Sequence, residues 1–405
     1  MASAPDSSPV FVLNVHADYQ CRHEGACCTA GWHIPIEPDR FTHLRAALNA
    51  SVFAAPGSAS GGAPSDIHAS CFSADEPPDG AAAIVNLDPI GACVFLDRQD
   101  GNLCAIQRAC GQELLPATCQ QFPRVALIDA RGTHLTLSHF CPTAARMLFR
   151  DDVDDLSIVV DPSGPIRRDT YEGFDATATI PPLVRPGLVS DAEVAVAWDA
   201  FVMRTLGSGS VTPEAALMRM IGAAERIRNW KPGSASLAAT ARGVCDEAMS
   251  ATERDVPAMA PTQAARLFLA AAATVPTGLR MPRVPEHFKS THARWIAPAR
   301  LPLSRPIRRY LAAKGFAAWS AYCGEGLRTQ IAMLAVALGV LEIESTRLAA
   351  AAGRALDLEM LLEAIRQADF LLVHLASGED MVRRMGRVET MTREAYVAEL
   401  GLEQV

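Results

Sequence analysis

From about residue 191 to the end of the chain, apolar side chains recur every three or four positions, the spacing that lines them along one face of a helix. That period predicts helices over 191–206, 213–228, 262–273, 315–341, 344–356, 358–377 and 392–400. Thr212 precedes the second of these as an N-cap, and Ser-Asp and Thr-Arg-Glu starts open others. The first 150 residues follow a different rhythm. Apolar and polar positions alternate in CVFLDRQDGNLCAI, about a turn at Asp100-Gly101, and in VALIDARGTHLTLSHFC, about Arg131-Gly132, so two hairpins are expected there. Between them, residues 104–115 suit one or two helical turns before Pro116.

These patterns divide the chain. A small Cys-rich α+β domain with short hairpins is expected over 1–150, then a Pro-rich linker or surface arm over 151–190. A helical, bundle-like domain follows over 191–405, making the whole mainly α. Pro181, Pro182 and Pro186 prevent a continuous helix in the linker. Ala54–Asp66 (AAPGSASGGAPSD) is a low-complexity loop.

Charge and composition narrow the partners. Of 405 residues 49% are hydrophobic, enough for a large core, and the net charge of -8 lacks the basic footprint of a general nucleic-acid binder. The N-terminus has neither a basic start nor an apolar run of signal length, so a cytoplasmic location is expected. The longest apolar run, Ile331 to Leu341, is too short to span a bilayer, so no membrane partner is expected.

The eleven cysteines change this picture most. Nine lie at or before residue 141: Cys21, Cys27, Cys28, Cys71, Cys93, Cys104, Cys110, Cys119 and Cys141. Inside a cell such clustering reads as metal or redox chemistry rather than disulfides. Thiolates are soft ligands for zinc and for iron–sulfur clusters. The packets YQCRHEGACCTAGW, GACVFLDRQDGNLC, PATCQQFPR and LSHFCPTAAR each place sulfur beside Gly, Pro or a turn, where backbone amides can reach it. No C-x-x-C occurs, which excludes zinc-ribbon, ferredoxin and thioredoxin spacings. Cys21, Cys27, Cys28, Cys93, Cys104, Cys119 and Cys141 are the expected ligands, with Cys27 and Cys28 expected to point different ways. Seven exceed the four that one cluster needs, so either two sites exist or some thiols stand behind the ligands. Cys71 and Cys110 read as plain thiols, Cys245 and Cys323 as helical core residues. His23 is a candidate further donor, whereas His33, His134 and His139 read as structural histidines and Trp32 as a lid.

The order C-x5-CC with GW, then C-x-F-L-D, D-G-x-L-C-x-I, C-x-x-F-P-R and L-S-x-x-CP-x-AAR resembles the flagellin lysine-N-methylases. These fall within the broader YkgJ-like cysteine-cluster group of zinc- or iron-chelating proteins. The resemblance rests on residues up to about 150 and includes Gly31, Trp32, Phe95, Leu96, Asp97, Gly101, Ile106, Gly111, Phe122, Pro123, Arg124, Pro142 and Ala144 to Arg146. It implies a 4Fe-4S cluster, with zinc or mononuclear iron as alternatives. It also implies S-adenosylmethionine as methyl donor and lysine side chains of flagellin as substrate. The alternative function is a non-catalytic metal-chelating protein for delivery, sensing or redox work. The chain departs from the family in having no further cysteine within RHEGA (residues 22–26), and in placing His139 and Phe140 ahead of Cys141. No catalytic base can be named, and no glycine-rich strand-to-helix loop marks the donor site. An arginine-rich segment (Arg294, Arg300, Arg305, Arg308, Arg309) reads as an exposed connection between helices, with docking of an anionic partner as the alternative.

Overall fold

The computed structural model describes residues 9–56, 70–73, 75–99, 101–161, 173–207, 209, 211–233, 235–251, 256–277, 279 and 283–402. Asp100 and most of the low-complexity loop lie outside these.

Helix dominates, and its organiser is Leu327–Ala352, buried over most of its 26 residues. Against it pack Pro213–Arg228, Pro261–Ala272, Ser304–Gly315, Leu358–Asp369 and Gly378–Gly386. Contact with Pro261–Ala272 is close because Gly339 has no side chain; a Cβ there would sit 3.0 Å from the Leu267 Cβ. The threonine caps form as expected: Thr212 accepts from Ala215 N–H and Thr392 from Ala395 N–H.

The helix expected over 315–341 is broken. Ser304–Gly315 ends where it should begin, Ser320–Cys323 makes one turn, and the long helix starts only at Leu327. Gly324 and Gly326 cause the break by allowing backbone approaches that side chains would block: their Cβ atoms would lie 2.4 Å from Ser320 O and 2.8 Å from Val184 O. The second break falls at Asp369, where the helix from Leu358 widens into a π turn, Phe370–Leu375.

A five-stranded mixed sheet joins the two ends of the first region. Its order is Ile158–Val160, Val10–Leu13, Gly132–Leu137, Arg124–Asp129, Gly173–Asp175. The expected hairpin pairs Arg124↔Leu137 through Asp129↔Gly132, and Val10–Leu13 adds in parallel beside it. The span expected as a linker therefore supplies both edge strands of this sheet. It also forms a small antiparallel pair, Leu183–Arg185 with Leu188–Val189. Gly173 is required at its edge, since a Cβ would lie 1.9 Å from Ala126 O.

Two principal cores result. The larger runs from Leu13, Val15, Ala145 and Leu148 into the helices. A smaller one, built from Ile34, Ile36, Leu44, Cys71, Phe72, Val85, Phe95, Ile106 and Leu115, lies wholly within the cysteine-rich stretch. The chain thus enters the main body with Val10–Leu13, leaves to build the cysteine lobe, and returns at Arg124.

The arginine-rich segment differs most from its expected exposed role. Arg308 and Arg309 are buried on the helix Ser304–Gly315. Arg308 donates to the carbonyls of Leu206 and Val211, and Arg309 to that of Leu148. Arg300 lies buried between Glu214 (2.6 Å) and Glu342 (2.8 Å), with His292 2.7 Å from Glu342. Replacing Arg300 with Met removes the 2.6 Å partner of the buried Glu214 carboxylate and leaves Glu342 with His292. It should lower unfolding free energy by about 3 kcal/mol or more, measured by urea titration; a loss below about 1 kcal/mol would contradict a buried ion-pair role.

Candidate metal centre

The four cysteine packets are held in place by hydrogen bonds, some of them between packets. Cys93 N–H donates to Cys28 O at 2.7 Å, joining the first packet to the second. Glu24 accepts from Thr143 Oγ1 at 3.0 Å and pairs with Arg146, joining the first to the last. Glu37, also paired with Arg40, accepts from Ala117 N–H at 3.1 Å and so anchors the short helix Ala117–Gln121 that carries Cys119.

As a result Cys21, Cys27, Cys28, Cys93, Cys104, Cys119 and Cys141 all line one cavity of about 380 Å³, together with His23, Tyr19, Trp32 and Phe122. Cys27 and Cys28, expected to diverge, both face it; a 3₁₀ turn over Cys27–Thr29 leaves their sulfurs 3.8 Å apart. His23 Nδ1 lies 3.9 Å from Cys21 Sγ. Among the described residues no three His, Cys, Asp or Glu side chains converge closely enough to hold a single metal ion. The thiols are spread around the cavity wall.

Amides aim at several of these sulfurs. Cys93 accepts from Phe95 N–H, Cys104 from Ile106 and Gln107 N–H, and Cys141 from Thr143 and Ala144 N–H. Burial pushes the thiols of Cys104, Cys119 and Cys141 up and that of Cys93 to about 12. Cys27 goes the other way through its contact with Cys28, whose own thiol is raised. Electrostatic reach divides the seven. Cys27, Cys28, Cys93, Cys104 and Cys119 feel one another, whereas Cys141 feels Cys21 and meets the Tyr19 hydroxyl at 3.5 Å.

The remaining residues singled out from sequence fall elsewhere. Cys71 is buried in the small core, Cys110 lies outside the cavity lining, and Cys245 is buried in a helix. Cys323, expected in the core, is exposed at the end of its short helix. His33 is exposed, and His134 is buried with its ring 5.1 Å from that of Phe11. His139 is fully buried, with Nε2 3.2 Å from His16 Nε2.

Trp32 forms a wall of the cavity. Its ring meets Phe122 and Phe140 at 5.5 Å and His374, on the π turn, at 4.8 Å. Behind His374 lies a second cavity of about 470 Å³, lined by Ser138, Lys314 and His374, by the further polar groups Thr136, Gln330 and Glu379, and by apolar and aromatic side chains. Ser138 Oγ is 2.7 Å from His374 Nε2. Asp369, fully buried, accepts from Lys314 Nζ at 2.6 Å, Tyr310 OH at 3.1 Å and His139 N–H at 2.5 Å. Burial opposes its charge, but Lys314 and His139 hold its carboxyl well below the ordinary range. Sequence reasoning missed Ser138, Lys314, Asp369 and His374. They come from three distant segments, and no local spacing links them.

Comparison with protein-family models, with curated proteins and with solved structures finds no match. Among the described residues no helix is long and apolar enough to cross a membrane.

Burial lowers His374 to about 4, and burial with the neighbouring His139 lowers His16. In the unfolded chain each titrates near 6.5. Between about 6.5 and 4 the unfolded chain therefore binds more protons, so their contribution to stability is full above that window and is lost as pH falls through it. Urea midpoints should drop from pH 7 to pH 5, with a slope of up to about 1.4 kcal/mol per pH unit for each histidine. His374→Gln should flatten the slope; an unchanged slope would count against a buried neutral His374.

Proposed function

We propose that this protein is an iron–sulfur-cluster protein-lysine N-methyltransferase, with S-adenosylmethionine as methyl donor and flagellin as substrate. The observation that carries the metal-centre part is the gathering of all seven expected cysteines around one cavity. Its volume is that of a multi-atom group rather than one ion, and its donor set is sulfur-rich, with amides already aimed at three of the sulfurs. The residues fit a cluster held from among Cys27, Cys28, Cys93, Cys104 and Cys119. Cys21 and Cys141 stand as a separate pair beside Tyr19. A bound cluster would supply redox capacity and fixed charge next to the Trp32 wall. Methyl transfer itself is supported by the resemblance of the cysteine packets to the flagellin lysine-N-methylases.

Chemically, the neutral lysine amine attacks the sulfonium methyl carbon in line. The new N–C bond forms as the C–S bond breaks, sulfur keeps the electron pair, and the methylated ammonium then loses its proton to solvent or a base. The protein's contribution is to align amine and sulfonium and to exclude water.

Anaerobically purified protein should be brown and carry iron and acid-labile sulfide. Cys93→Ser and Cys119→Ser should lose both, whereas Cys71→Ser and Cys245→Ser should retain them. Colourless protein with stoichiometric zinc would overturn the cluster and favour the metal-chelating alternative. Absence of labelled methyl-lysine after incubating the cluster-loaded protein with labelled S-adenosylmethionine and flagellin would overturn the methyl-transfer part.

A further inference from the structure

The second cavity has a chemistry of its own. Its walls include Trp198, Val202, Phe316, Trp319, Leu334 and Leu372, suited to a flat or apolar body, and its polar lining includes Lys314, Ser138 and His374 together with Gln330 and Glu379. There Lys314 presents an ammonium with three N–H groups, one of which is taken by Asp369 at 2.6 Å. Beside it stands the Ser138 hydroxyl, held 2.7 Å from the His374 ring. His374, lowered to about 4 by burial, is neutral at physiological pH. An ammonium with free donors, a hydroxyl and an uncharged imidazole recognise an acceptor-rich head group such as a carboxylate.

The two cavities share a boundary. Ser138 lines one and Cys141, three residues on, lines the other. The contact between Trp32 and His374, 4.8 Å between ring centres, closes the space between them. A molecule seated with its head at Lys314 and Ser138 would lie next to whatever the cysteines hold.

We infer that this second cavity is the binding site for the organic reactant: a molecule with a flat ring system at one end and an amino-acid carboxylate at the other. The ring packs among the tryptophans and Phe316, and the carboxylate takes the spare N–H groups of Lys314 and the Ser138 hydroxyl. The assignment rests on the methyl-transfer reading for the ligand's identity, since a nucleoside-linked amino acid meets both requirements. The cavity's shape and polarity carry the location.

The test uses S-adenosylhomocysteine, which cannot transfer a methyl group, titrated calorimetrically into the full-length protein with and without iron. Saturable binding is expected in both forms. Met333→Trp and Val373→Trp, which place bulk in the cavity from partly exposed positions, should weaken it at least tenfold with unchanged melting temperature. A second measurement avoids substitutions: ultraviolet cross-linking of labelled S-adenosylmethionine should mark peptides within 313–337 or 372–381. Binding that neither variant changes, or label confined to other peptides, would overturn the placement and leave the methyl-transfer reading standing. No saturable binding by the wild-type protein would overturn both.

Discussion

Asp369 is the point on which the site's architecture turns. A carboxylate removed entirely from water is costly unless its charge is met on every side, and here three donors from two segments meet it. Two, Lys314 and Tyr310, come from one helix; the third is a backbone amide of the turn that leads to Cys141. The charge therefore ties the helical body to the turn from which one side chain faces each cavity. The neighbouring Ser138–His374 hydrogen bond makes a second tie across the same seam. Loosening either would shift the aromatic wall formed by Trp32, Phe122, Phe140 and Phe370.

Much of this was legible in the chain. Capping threonines at 212 and 392 marked helix starts because a side-chain oxygen ahead of an apolar period has one common use. The Arg124–Leu137 hairpin was legible from alternation, and the cysteine packets from sulfur count and spacing. Reading failed where tertiary contact overrode local pattern. Gly324 and Gly326 sit within a helical period, but nearby backbone leaves no room for side chains, so the helix must stop. Prolines at 181, 182 and 186 suggested a linker or surface arm, yet Ile158–Val160 and Gly173–Asp175 of the same span are drawn into strands by neighbours more than thirty positions away.

The arginines teach the same point from electrostatics. On paper Arg300, Arg308 and Arg309 resemble a solvated basic loop, because sequence shows charge without its surroundings. Folded, they work as interior cross-braces: guanidinium groups have enough donors to satisfy helix-end carbonyls and carboxylates that packing has cut off from water. The second cavity was invisible for a related reason. Ser138 and His374 are 236 positions apart, and neither carries a local signature.

The small core that belongs to the cysteine stretch alone gives that stretch an apolar interior separate from that of the helices. Both ends of that stretch leave from the same sheet, since Val10–Leu13 and Arg124–Asp129 flank the strand Gly132–Leu137 on either side. The lobe is thus a cassette clipped into a finished frame. Local opening of its core would leave the buried residues of the helical core in contact with one another.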